Sequence, residues 1–151
     1  MTRVPDWQER LNAVVAKHQA MDGAWGTSDC WTLTMDAVEA VQVKRILSRL
    51  SRYKSEAAGY RVFSKAGFNT VEEALASVLE PVPVLMAQRG DVGVIEREGV
   101  ISSGVFTSAG FAVRTIYGRT DTIDGKRFET VTGADVQFLP ISAVKTAFQV
   151  R

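Results

Sequence analysis

The chain has 151 residues, of which 46% are hydrophobic and 23% are charged, and its formal net charge at pH 7 is +1. This length and composition suit a single compact domain over residues 1–151. The near-neutral charge argues against an extended nucleic-acid surface, and the apolar runs are far shorter than the roughly 20 residues of a membrane-spanning helix. One cysteine and one histidine exclude an internal disulfide and a closed zinc site, so no metal or cofactor is predicted.

The N-terminal half has helical periodicity. A stripe of residues at spacings of three and four predicts a first helix, and its members are Trp7, Leu11, Val14, His18 and Met21. A second helix is predicted over 30–50, immediately after the capping residues Ser28 and Asp29. Two shorter helices are predicted near 57–65 and 71–79.

The C-terminal half is rich in β-branched residues and glycine turns. Strands are predicted at 91–96, 100–107, 111–118, 128–131 and 136–139, with a last edge strand at 146–150. A charged loop is predicted over 119–127. Helices followed by antiparallel strands indicate the α+β class.

The segment GAWGTSDCW, residues 23–31, holds Cys30 at the predicted start of the second helix. The N-terminal end of a helix stabilises a thiolate and lowers the pKa of the thiol. Alternatively, Cys30 is a small buried apolar side chain, because free cysteine is among the most buried residue types. Asp29 opposes ionisation of the sulfur if its charge points there, although capping of the helix is the better interpretation. The local sequence leaves nucleophile and packing residue open.

The segment AWGTSDCW, followed by an amphipathic helix, resembles the Trp-Gly-x-x-Asp-Cys segment of papain-like bacterial and phage cell-wall peptidases, the NlpC family. Some sixty residues further on, AQRGDVGVIEREGVISSGVF resembles the next block of that family, with Gly90 and Asp91 opening the first core strand. The segment RYKSEAAGYRVFSKAGFNTVEEAL and the ending AFQVR resemble a phage and prophage branch encoded among tail genes. This resemblance implies a papain-like domain whose N-terminal helices pack on a C-terminal antiparallel sheet.

The resemblance also implies site residues. Cys30 takes the position of the nucleophile, and Asp29 takes that of the residue that braces the helix start. The histidine of the family lies two residues before Gly104, and this position holds Ser102. A serine hydroxyl has too little basicity to take the thiol proton at neutral pH. The one histidine, His18, precedes Cys30, and a base supplied in this permuted order is geometrically conceivable. The papain-type base comes from the sheet side of the cleft, however, and the place of His18 on the apolar stripe predicts a helix-face residue at the edge of the core.

Other chemistry-bearing residues favour structural roles. Asp121 and Asp124 can be read as a metal-binding or carboxylate pair, but a solvated hairpin loop is the preferred interpretation. The basic run over 44–54 favours an exposed helix face over a phosphate site. The three tryptophans favour packing over a platform for sugar stacking.

These observations predict a structural protein of a phage or prophage virion, at the tail tip or the tail hub, whose papain-like fold has lost its base. The expected partners are other phage tail proteins, with peptidoglycan as a second candidate and without nucleic acid or a membrane span. The chain shows no signal-peptide segment, so we expect synthesis in the bacterial cytoplasm and residence in the virion tail. The alternative is an active cysteine peptidase or amidase that cleaves peptidoglycan stem peptides with Cys30 as nucleophile. A host-derived binding module ranks lowest.

Overall fold

The computed structural model describes residues 3–151. Within these residues, four α-helices precede a six-stranded sheet in which every strand pairs antiparallel to its neighbours. The helices are α1 (Trp7–Ala20), α2 (Cys30–Gln42), α3 (Glu56–Lys65) and α4 (Val71–Ala76). The strands are β1 (Pro81–Val82), β2 (Val92–Arg97), β3 (Val100–Thr107), β4 (Gly110–Ile123), β5 (Lys126–Leu139) and β6 (Thr146–Phe148), in the spatial order β1-β6-β2-β3-β4-β5. The predicted α+β arrangement, with helices first and an antiparallel sheet second, is confirmed.

Helix α2 is the central helix of the core. Its residues Leu33, Ala37 and Val41 are fully buried, and they belong to the same apolar cluster as Val94 of β2 and Val105 of β3. Full burial of a side chain the size of Leu33 or Val41 contributes about 1.5–3 kcal/mol of transfer free energy. These apolar contacts hold α2 against the sheet.

The second helix ends earlier than predicted. Val43 adopts a left-handed conformation with φ of 62° and donates its N–H to the carbonyl of Glu39, which terminates α2. A separate 3₁₀ turn, Ser48–Ser51, then brings Leu50 into the core. The prediction of one helix over 30–50 is wrong. The apolar residues that suggested one continuous helix belong to two elements, α2 and the 3₁₀ turn, which pack into the same core. Helix α4 also ends before the predicted 79, at Ala76.

The predicted loop over 119–127 is wrong. Strand β4 continues to Ile123, a turn at Asp124 and Gly125 with φ of 52° and 75° reverses the chain, and β5 begins at Lys126. Two positive φ angles at an Asp-Gly pair are typical of a tight hairpin turn. The two weak strands predicted at 128–131 and 136–139 are parts of the single strand β5, interrupted only by a bulge.

The strand predicted at the C-terminal edge is an interior strand. Strand β6 lies between β1 and β2, and Pro81 and Val82 of β1 form the edge beyond it. An edge strand tolerates proline because one side of its backbone needs no hydrogen bonds from the sheet. None of the helices in residues 3–151 combines the length and the apolar character needed to cross a membrane.

Candidate functional site

A cavity of 220 Å³ opens beside the first turn of α2. Cys30 lines this cavity, and Ser102 of β3 also belongs to its wall. Much of the remaining wall is aromatic, with Trp25 from the loop before α2, Tyr53 from the segment after the 3₁₀ turn, and Tyr60 of α3. The cavity therefore brings together the two positions, 30 and 102, that the sequence resemblance singled out.

Asp29 braces the start of α2. Its carboxylate accepts hydrogen bonds from the N–H of Thr32 at 2.8 Å, the N–H of Gly26 at 2.8 Å and the hydroxyl of Tyr53 at 2.6 Å. The Thr32 hydroxyl in turn accepts the N–H of Asp29, which completes a capping box. Asp29 is buried, so these donors hold a carboxylate that has little access to water. Burial and then the Asp29 carboxylate raise the pKa of Tyr53.

The loop before Asp29 requires glycine at position 26. Gly26 has φ of +82°, and a Cβ atom there would lie 1.9 Å from the carbonyl oxygen of Tyr53. A side chain is therefore excluded by both backbone conformation and space. This close approach holds Tyr53 beside Asp29 at the edge of the cavity.

The thiol of Cys30 is protonated at neutral pH. Burial, and secondly the charge of Asp29, raise its pKa to about 11. Hydrogen bonds from the N–H and hydroxyl of Ser103 and from the N–H of Trp31 lower this pKa but do not offset the two larger effects. Of the two interpretations that the local sequence left open, this environment favours the unactivated thiol.

Ser103, adjacent to Ser102, makes the polar contacts to the start of α2. Its hydroxyl donates to the carbonyl oxygen of Cys30 at 3.1 Å and lies 2.9 Å from the hydroxyl oxygen of Thr34. Thr34 donates to the same carbonyl at 2.8 Å. Sequence reasoning missed Ser103 and Thr34. The alternation of side chains along β3 was the available signal, because only one of two adjacent serines can face α2.

His18 lies in a different polar cluster, between α1 and α2. It is fully buried, with Nε2 2.7 Å from Oδ2 of Asp36 and Nδ1 2.8 Å from Oγ of Ser28. Nε of Arg114 donates to the same Ser28 oxygen at 3.0 Å. His18 lies on the buried face of α1, as predicted, but it is fully buried and not at the edge of the core, because Asp36 and Ser28 supply the partners that full burial of an imidazole requires. Both ring nitrogens have hydrogen-bond partners other than Cys30.

The carboxylates of the β4–β5 hairpin do not form a pair. Asp121 accepts from Nε of Arg119 at 3.0 Å on β4, whereas Asp124 occupies the hairpin turn. Across residues 3–151, no group of three or more His, Cys, Asp or Glu side chains is placed to hold a metal ion.

Comparison with known proteins gives one family. The model of a domain of unknown function, DUF6950, matches residues 2–150. No curated protein and no solved structure gives a significant match. Because the family model covers nearly the whole sequence, the chain belongs to the DUF6950 family.

Proposed function

We propose that the chain is a catalytically silent papain-like domain with a structural role in a phage or prophage tail, at the tail tip or hub. The observation that carries the catalytic part of this proposal is that the one imidazole contacts Asp36 and Ser28 and not Cys30. The environment of Cys30 agrees with it, because burial and Asp29 raise the pKa of the thiol to about 11. At that pKa, roughly one molecule in ten thousand carries the thiolate at pH 7.

A cysteine peptidase needs a base that takes the thiol proton and later protonates the leaving amine. The sequence offers one imidazole, His18, and its two nitrogens contact Asp36 and Ser28. The position that the resemblance assigns to the base holds Ser102, which has no useful basicity. Loss of a general acid–base group lowers a rate by about 10²–10⁴-fold.

The order of the elements supports the papain-like part of the proposal. A helix that begins at Cys30 packs on an antiparallel sheet, and the first long strand of that sheet follows Gly90 and Asp91. Ser102 lies on the next strand and lines the same cavity as Cys30. The order of these elements is the order that the resemblance implies, although Ser103 rather than Ser102 contacts the first turn of α2.

The tail assignment is supported by the resemblance of residues 52–75 and of the C-terminal AFQVR to the tail-gene branch. Quantitative mass spectrometry of purified virions tests it. We expect the chain at a small fixed copy number in the tail fraction. Its absence from both virions and tail assembly intermediates would contradict the structural role.

An active peptidase is the second candidate, favoured by the direct opening of a cavity with aromatic walls onto Cys30. The test is incubation of the purified protein with cell-wall sacculi, followed by chromatography of the released peptides, with an authentic NlpC peptidase as positive control. Our proposal predicts no release above background for wild type, Cys30→Ala or Ser102→Ala. Peptide release by the wild type that Cys30→Ala abolishes would contradict the proposal. Ser108→Ala, at an exposed serine outside the cavity, is the matched control for Ser102→Ala and should behave as the wild type.

A further inference from the structure

The distal half of the β4–β5 hairpin, residues 118–123 and 126–131, forms a ribbon exposed on both faces, here named the distal ribbon. Strand β3 pairs with β4 only as far as Ala112, so the ribbon strands pair with each other alone. The ribbon exposes the large apolar side chains Ile123, Phe128 and Val131. An isolated two-stranded hairpin is marginally stable in water, so these features indicate a surface that gains from a partner.

Strand β5 forms one edge of the sheet, and its outer backbone groups are available to a further strand. Arg127 and Glu129 flank Phe128 on this strand, and their spacing of two places them on the same face. Neither side chain forms a salt bridge with any other residue in the range 3–151. The negative charge of Glu129 lies near Glu56. Burial, and secondly the charge of Glu129, raise the pKa of Glu56.

We propose that two copies of the chain associate edge to edge through β5, antiparallel, about a two-fold axis at Phe128. In this register Arg127 lies opposite Glu129 of the partner subunit, and the symmetry repeats the pair. Phe128 meets its own copy on the other face of the joined sheet. Arg127 of the partner subunit also reduces the repulsion between Glu129 and Glu56, because it places a positive charge beside Glu129.

The charges select this register over its neighbours. A two-fold axis at residue 127 or at residue 129 would place Arg127 or Glu129 opposite its own copy, and directly opposed like charges destabilise a sheet. An axis midway between residues 127 and 128 is excluded, because it would set Arg127 opposite a residue whose side chain lies on the other face of the sheet. The sequence Arg-Phe-Glu is therefore self-complementary in one antiparallel register.

The contact is short, so the dimer should be weak and dependent on concentration. Five residues of each β5 edge, 126–130, pair in this register. Such an interface is smaller than that of a permanent complex, and its specificity comes from the two charge pairs and the backbone hydrogen bonds. The inference is independent of the proposed function, because a peptidase and a tail protein can both form this dimer.

Sedimentation velocity of the full chain from micromolar to near-millimolar concentration tests the proposal. We expect a monomer–dimer equilibrium in the wild type. The single variants Arg127→Glu and Glu129→Arg should each raise the dimer Kd by at least about tenfold, because each converts two attractive pairs into two repulsive ones. Arg119→Glu, on the neighbouring strand β4, is the matched control and should leave the Kd within about twofold of the wild-type value.

Mixing makes the test specific. An equimolar mixture of the Arg127→Glu and Glu129→Arg chains should form a heterodimer, since each acidic edge then faces a basic one. The double variant Arg127→Glu/Glu129→Arg should recover the wild-type dimer. Circular dichroism checks that each variant is folded. A wild-type chain that is monomeric at every concentration, or a dimer indifferent to both single reversals, would overturn the proposal.

Discussion

The carboxylate of Asp36 lies 2.7 Å from Nε2 of His18 and joins α1 to α2 inside the helical layer. The other ring nitrogen contacts Ser28, so the one imidazole of the sequence is committed to a buried polar cluster. Cys30 begins the same helix α2 but contacts β3 through Ser103. The chemistry of the thiol is therefore set by burial and by Asp29 rather than by a base.

Asp29→Asn tests the electrostatic part of this description. The substitution keeps an oxygen that can accept the N–H of Thr32 but removes the charge that helps to raise the pKa of Cys30. We expect the pKa of Cys30 to fall and its alkylation rate at pH 8 to rise severalfold. Intact-protein mass spectrometry measures the rate. Glu39→Gln, further along α2, is the control, and equal rates in wild type and Asp29→Asn would contradict the prediction.

Asp91 connects Arg3 and Arg151 to the sheet. Its fully buried carboxylate pairs with Arg3 at 2.9 Å and Arg151 at 2.8 Å, and it accepts the N–H groups of Val150 at 3.0 Å and Gln88 at 2.8 Å. Arg3 and Arg151 keep access to water, but removal of the carboxylate leaves the N–H groups of Val150 and Gln88 without an acceptor, which costs about 1–3 kcal/mol. We expect Asp91→Ala to lower the free energy of unfolding by about this amount.

Urea denaturation measures the effect of the Asp91 substitution. Glu80→Ala, at an exposed position before β1, should change the free energy of unfolding by less than about 0.5 kcal/mol. A loss below about 1 kcal/mol for Asp91→Ala would show that these N–H groups do not depend on this carboxylate.

The pH dependence of stability tests the Asp36 contacts. Burial raises the pKa of Asp36, but the hydrogen bond and charge of His18, with the charges of Lys17 and Arg45, outweigh burial and leave the pKa below its ordinary value. A group with a lowered folded pKa stabilises the protein above its unfolded pKa of about 3.9 and loses that effect as pH falls through the folded value.

Asp36→Asn should therefore reduce the free energy of unfolding at pH 7 by about 1.5–3 kcal/mol, the usual range for a hydrogen bond to a charged group. The difference from wild type should shrink as the pH falls below about 4. Urea midpoints measured across this pH range check both statements. A difference that stays constant down to acid pH would contradict the assignment.

Local signals predicted the local parts of this structure. Capping residues predicted helix starts, and Thr70 does accept the N–H of Glu73 at the start of α4. The end of α2 was missed because a β-branched residue, Val43, takes a left-handed conformation that its sequence does not suggest. The position of β6 was missed because strand order depends on contacts between distant parts of the chain.

In the candidate site, too, local sequence predicted some residues, and contacts between distant parts of the chain determined the others. Cys30 and Asp29 could be placed from one segment. Tyr53 contacts Asp29 across 24 positions, and Ser103 contacts Cys30 across 73, so neither was visible as a motif. Their roles depend on the packing of α2 on the sheet, which the hydrophobic pattern predicts only in outline.

The rate of Cys30 alkylation by iodoacetamide as a function of pH tests the central claim most directly. We predict a rate that rises about tenfold for each pH unit through the neutral range, with its midpoint near the pKa of about 11. The denatured chain should show the ordinary midpoint near about 8.5. A folded protein whose alkylation is half-maximal at or below neutral pH would contradict the claim that Cys30 lacks an activating base.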